Sequence, residues 1–213
     1  MARQLVIFDC DGVLVDSETI TTATIVEAMS WYGLDWDAEH VLRRHRGGNL
    51  LNVRADAEQE LGESLPADFV DRFRERLYER LRADILPIPG IEAALDALPQ
   101  EICVASNGPR GKMEATLGTT GLLPRFEDRI FSAYDIDVFK PDPGLFLHAA
   151  REMDVPPADC VVVEDSDNGI EAAVAAGMPV LAYVGHGVDL EAEGAILFDD
   201  MARLPGLIES LLG

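Results

Sequence analysis

The chain has 213 residues, 48% of them hydrophobic, and a formal charge of −22 at pH 7, enough for a sizeable core in one domain or one domain with a smaller insert. That acidity opposes non-specific attraction to nucleic acid or an anionic membrane, and leaves an anionic small substrate only where local cations or a metal offset it. Apolar runs are short, and Met-Ala-Arg-Gln leads directly into a strand without a signal-peptide core, so neither a membrane span nor export is expected and the cytoplasm is the expected location.

Residues 5–8, Leu-Val-Ile-Phe, form the continuous apolar run of a parallel strand buried on both faces. It ends on Asp9, with Asp11 two residues on and Gly12 free to turn the backbone. Ser17 suits a helix N-cap, and residues 18–32 carry Ile20, Ile25, Val26, Met29 and Trp31 at roughly helical spacing before Gly33. Residues 37–83 read as wholly helical, with no buried-strand run, and so as a small helical bundle inserted into an α/β scheme. After the proline-rich crossing at 85–90, strands and helices alternate. Strands are expected at 102–105, 130–131, 160–163, 179–183 and 195–198, with helices to about Leu117, from Pro143 to Met153, over 170–176 and over 204–212. Such alternation implies an α/β fold: a Rossmann-like parallel sheet with helices on both faces and right-handed crossovers. Its core is expected at 1–15 and 86–213, with the helical domain at 16–85. Cys10, Cys103 and Cys160 lie in or beside apolar runs without metal-ligand spacing, and read as small buried hydrophobes; Cys10 stands between the two aspartates.

In an open α/β sheet, ligands bind at the carboxyl ends of the strands. The polar residues found there are Asp9 and Asp11 after the first strand, Ser106 and Asn107 after the second, and Glu164 and Asp165 after that at 160–163. Lys140 precedes a helix in Phe-Lys-Pro-Asp-Pro. Several carboxylates in one cleft repel one another unless a cation holds them ionised, and a few hard oxygen ligands with room for water suit Mg²⁺. Carboxylates, Mg²⁺, a lysine and a hydroxyl together fit phosphoryl transfer. Metal and lysine neutralise the phosphate, one aspartate attacks phosphorus, and a second carboxylate moves the proton. Asp9 and Asp11 divide between these two roles.

With these motifs in this order, the chain resembles the haloacid dehalogenase superfamily of phosphotransferases. Four stretches carry the resemblance: 8–17 (Phe-Asp-Cys-Asp-Gly-Val-Leu-Val-Asp-Ser), 105–108 (Ala-Ser-Asn-Gly), 140–143 (Lys-Pro-Asp-Pro) and 163–166 (Val-Glu-Asp-Ser) running on to Gly169. The resemblance implies Asp9 as nucleophile, Asp11 as general acid/base, and Ser106 and Lys140 as phosphate ligands. It also implies Mg²⁺ held by Asp9, the Asp11 main-chain carbonyl and Asp165, with Glu164 close by. The helical insert is similar to the family's cap, which closes over the active site and sets substrate choice. Within it, Arg46, Gly47 and Asn49 are the expected specificity loop, and Asn107 is expected on the substrate.

Relative to the β-phosphoglucomutase branch, the chain has Thr21 where the mutase places a histidine, and Gly108-Pro109 where it has groups for a second phosphate. The turn at 106–109 and the 132–143 stretch look more like the 6-phosphogluconate phosphatase subgroup. The resemblance thus implies a Mg²⁺-dependent phosphatase of a small phosphorylated sugar or sugar acid, and the acidic composition without a heptad pattern makes a monomer the expected state. A phosphosugar mutase and a non-catalytic binding module stand as the alternatives.

Overall fold

The computed structural model describes residues 3–45, 50–185, 187, 190 and 193–213. The chain divides into two compact units, 1–16 with 86–213, and 17–85.

The larger unit is built on a six-stranded, wholly parallel sheet. Its strands are β1 (Leu5–Phe8), β2 (Glu101–Ser106), β3 (Ile130–Ser132), β4 (Cys160–Glu164), β5 (Val180–Tyr183) and β6 (Ala195–Phe198), in the spatial order β3-β2-β1-β4-β5-β6. The opening apolar run therefore occupies the middle of the sheet. Phe8 stands level with Val104 on one side and Val163 on the other, so the residues that follow β1, β2 and β4 emerge at one edge.

Side chains alternate across the sheet, as strand geometry requires. Leu5, Ile7, Cys103, Ala105, Cys160 and Val162 share one core cluster with Leu145, Phe146, Ala149, Ile170 and Ala173. Phe8 faces the other way, edge-on to Phe126 at 6.4 Å. All three cysteines are free and buried.

The expected strands and main helices are present with ends shifted by up to three residues, while residues 91–97 form a helix with no counterpart in the sequence reading. This short helix follows Gly90, which holds φ at +84°, and buries Ile91, Ala94 and Leu95 at helical spacing. Seven residues with one strongly apolar turn give too weak a periodic signal to stand out. The chain leaves and re-enters this unit along one path: Asp16 N–H donates to Leu86 O at 3.0 Å, and Ile88 N–H to Leu14 O at 3.0 Å.

The smaller unit contains α1 (Ser17–Ser30), α2 (Ala38–His45), α3 (Leu50–Leu61) and α4 (Phe69–Asp84), and no strand among its described residues. Phe69, Phe73, Leu77 and Leu81 make the buried stripe of α4, and Glu27 of α1 pairs with Arg76 (2.8 Å) and Arg80 (3.4 Å) of α4. The rings of His40 and His45 stack on Trp36, at 4.6 and 5.4 Å, and burial holds the His45 imidazole below its usual pKa. These two histidines thus serve the packing of the helical unit. Arg46, Gly47 and Asn49, the expected specificity loop, lie outside the described residues. No helix among the described residues is long and apolar enough to cross a membrane.

Candidate active site

Asp9 sits one step beyond β1, its N–H donating to Val163 O at 2.9 Å, and only 7% of its surface is exposed. Two residues later the chain turns at Gly12, where φ is +81° and Gly12 N–H donates to Val15 O at 2.8 Å. A Cβ on Gly12 would fall 1.9 Å from Asp165 Oδ2, so the missing side chain is the space in which the Asp165 carboxylate lies. Gly12→Ala combines a left-handed backbone with that collision. It is expected to lower stability by at least about 1–2 kcal/mol, read from the urea midpoint; an unchanged midpoint would mean that Asp165 moves aside freely.

Lys140 joins the strand ends. Its Nζ donates to Asp9 Oδ1 and to Glu164 Oε1, both at 2.6 Å, and lies 4.7 Å from the Phe146 ring centroid. Lysine and glutamate are 6% and 1% exposed. Burial by itself would lower the lysine pKa, yet the adjoining Asp9 and Glu164 carboxylates raise it, so the ammonium stays charged. The Asp9 pKa also rises, which for a carboxyl group favours the neutral form. Burial raises its carboxyl, Lys140 pulls it back down, and the charges of Glu164 and Asp11 push it up again, to about 7.

Glu164 is engaged on both oxygens. While Oε1 accepts from Lys140, Oε2 accepts from Asp165 N–H (2.8 Å), Ser166 N–H (2.9 Å) and Ser166 Oγ (2.9 Å). A Cβ on Gly169 would fall 1.9 Å from Glu164 Cδ, so the first turn of the helix Asp167–Ala175 leaves room for this carboxylate. Glu164, expected near the metal, thus lies between Lys140 and the 164–166 turn.

Ser106, at the end of β2, is buried, and its Oγ accepts from Gly108 N–H at 3.3 Å. A Cβ on Gly108 would lie 3.7 Å from both Ser106 Oγ and Asp11 Oδ2, so serine and second aspartate border the same small space. Asn107, expected on the substrate, holds the Lys140 backbone: its Oδ1 accepts from Lys140 N–H at 2.9 Å and its Nδ2 donates to Lys140 O at 3.2 Å. The side-chain amide fixes the loop from which the lysine reaches Asp9.

Cys10 points away from its neighbouring aspartates. Its Sγ lies 4.0 Å from Thr116 Oγ1, and burial, together with the charges of Asp11 and Asp9, pushes the thiol well above its usual pKa. Its thiol packs in the core.

One charged group at this edge has no place in the sequence reading. Lys112, in the first turn of the helix Arg110–Thr119, donates from Nζ to Asp11 Oδ2 at 2.7 Å. A lysine at a helix N-terminus opposes the dipole, a local mismatch that was the available sign of a distant anionic partner.

Comparisons with known proteins show the family. The model of the haloacid dehalogenase-like hydrolase family matches residues 4–177. The chain is 34% identical over 207 residues to the 6-phosphogluconate phosphatase of Escherichia coli (strain K12), covering 96% of this chain and 94% of that one. Among solved structures, a conserved haloacid dehalogenase-like protein of unknown function from Agrobacterium tumefaciens str. C58 covers 100% of both chains with a TM-score of 0.89 and 34% identity. A HAD family hydrolase from Deinococcus radiodurans R1, with bound phosphate and sodium, covers 99% of this chain and 97% of its own at a TM-score of 0.84 and 27% identity. By its sequence match, its parallel sheet and the residues gathered at the sheet's carboxyl edge, this chain belongs to the haloacid dehalogenase-like hydrolases.

Proposed function

We propose that the chain is a Mg²⁺-dependent phosphatase of small phosphorylated sugars or sugar acids, working through an aspartyl phosphate on Asp9. The observation that carries this reading is the contact of Lys140 with Asp9 at the carboxyl edge, with Asp11 and Ser106 bordering one space beside it. A buried carboxylate against an ammonium is a nucleophile held beside a counter-charge for phosphate oxygens.

The donor set suits Mg²⁺. Asp9, the Asp11 carbonyl and Asp165 are hard oxygen donors, and the space at Gly12 lets the Asp165 carboxylate approach the 9–12 turn. Asp9 titrates near 7 with Lys140 as a cation beside it, so a further cation favours the ionised form that attack requires. No group of three or more His, Cys, Asp or Glu side chains among the described residues is arranged to hold a metal alone; Mg²⁺ commonly takes one or two carboxylates and keeps several waters. When bound, the metal supplies charge neutralisation and orientation of the phosphate.

The residues then divide the work. An Asp9 oxygen forms a bond to phosphorus as the bond from phosphorus to the sugar oxygen breaks, and Asp11 gives that oxygen a proton. In the second half, Asp11 takes a proton from water as the water oxygen attacks phosphorus, and the bond from phosphorus to Asp9 breaks. Lys140 and Ser106 hold the phosphate oxygens throughout, and Asn107 holds the Lys140 loop. Substrate choice is assigned to the helical unit as a cap, and the chain is proposed to act as a monomer.

The likeness to 6-phosphogluconate phosphatase supports a sugar-acid phosphate as the first substrate to try. Hydrolysis is favoured over mutase chemistry because Thr21 stands where the mutase has its histidine, and its hydroxyl donates to Ser17 O at 2.8 Å within its own helix. The test is phosphate release from a panel containing 6-phosphogluconate, fructose 1-phosphate and glucose 1-phosphate, with Mg²⁺ and with EDTA. Release that requires Mg²⁺ and is best for a sugar or sugar-acid phosphate is expected. Isomerisation of a hexose 1-phosphate without release would point to the mutase, and inertness in both assays would favour a binding module.

A further inference from the structure

We propose that Lys112 is a positioning residue for Asp11: it holds that carboxyl group toward the leaving group, to whose oxygen Asp11 passes its proton. The inference rests on the acid/base role given to Asp11 above. The helix carrying Lys112 begins directly after the 106–109 turn, so its first turn sends a side chain back to the strand ends. There Nζ lies 2.7 Å from Asp11 Oδ2, with 18% of the lysine side chain and 29% of the aspartate side chain exposed. The space at Gly108 is bordered by Asp11 Oδ2, Ser106 Oγ and Lys112 Cδ together, at 3.7, 3.7 and 4.0 Å from where a Cβ would stand. The lysine thus belongs to the wall of the site.

Its chemical consequence follows from where the Asp11 carboxyl group stands. As the bond from Asp9 to phosphorus forms and the bond to the sugar oxygen breaks, the Asp11 proton goes to that oxygen and leaves a carboxylate. The contact with Lys112 fixes one carboxyl oxygen, so the other is held for that transfer and the step does not wait on side-chain rotation. Lys140 serves the nucleophile and Lys112 the acid, each aspartate having its own lysine.

This role predicts a dependence on the leaving group that neither a phosphate ligand nor a merely structural residue would show. A sugar alkoxide needs the proton to depart; p-nitrophenolate does not. The parameter to measure is kcat/KM, which covers steps only through departure of the leaving group. For the best sugar phosphate of the panel, Lys112→Met is expected to lower kcat/KM by about 10- to 100-fold, within the range of general acid catalysis. For p-nitrophenyl phosphate, or acetyl phosphate if the aryl ester is a poor substrate, the loss is expected to be about threefold or less. Lys112→Arg, which keeps the charge, should recover part of the loss, and Lys112→Gln replaces the methionine variant should that one fail to fold. Equal losses on both substrates, or none on either, would overturn the role of Lys112. Asp11→Asn separates the two levels of inference: a selective loss there without one in Lys112→Met removes the lysine alone, whereas equal losses in Asp11→Asn remove Asp11 as the acid.

Discussion

Asp9→Asn is expected to reduce phosphate release on the order of 10⁴-fold or more, the scale found when a covalent nucleophile is removed, while the folded state survives intact. The amide is close to isosteric with the carboxyl, and its oxygen still accepts from Lys140 Nζ, which stands 2.6 Å from Asp9 Oδ1. Burial, the largest influence on Asp9, opposes its charge, so exchanging it for a neutral group leaves metal-free stability equal or slightly higher. Loss of turnover with an unchanged or raised urea midpoint is the expected pair of results. Turnover within tenfold of wild type in the Asn variant would remove Asp9 as nucleophile. Parallel collapse of turnover and stability would make it a structural residue.

Glu164→Ala should give the opposite signature, with stability as its largest effect. Four donors converge on this 1%-exposed carboxylate: the Lys140 ammonium, two backbone N–H groups and the Ser166 hydroxyl. Truncation leaves the buried lysine with half of its counter-charge and strips the 164–166 turn of its acceptor. Breaking a buried ion pair by removing one partner costs about 3–5 kcal/mol, and that loss is expected in urea unfolding followed by circular dichroism. Glu164→Gln should lose less, since one amide oxygen still accepts from the turn or from the lysine, though not from both. A loss below about 1 kcal/mol for the alanine variant, the level of an exposed pair, would show that the 164–166 turn is held by its backbone alone.

The difference between these two carboxylates also marks how far the amino-acid sequence could be read. Strand positions and the residues that follow them were legible, because an apolar run bounded by a polar turn is a local pattern: Asp9, Ser106, Glu164 and Asp165 each stand immediately after such a run. That all of them emerge at one edge follows from parallel strands. Which way a side chain turns there was not legible. Asn107 reaches the Lys140 backbone, and Glu164 reaches Lys140 and its own turn, because β1 lies between β2 and β4 and the 140 loop folds across their ends; no local pattern contains that order. Lys112 escaped for the same reason in a stronger form, its partner Asp11 lying far off in the chain, on the central strand's turn. The helix at 91–97 escaped on length alone.

The central place of β1 has a consequence for how the protein comes into being. Leu5 is level with Glu101 on one side and with Cys160 on the other, so the first strand made gains its second neighbour only after residues 160–164 have been made. Contacts so distant along the chain form slowly, because loop-closure entropy opposes them before they bring any gain. On the ribosome, the helices of 17–85 can form from local contacts while Leu5–Phe8 still lacks a partner. Asp9 meets Lys140 and Glu164 only after most of the chain has been made, so a truncated or stalled chain holds the proposed nucleophile without its counter-charge. The proposed site is thus assembled only once the chain has been made past Asp165.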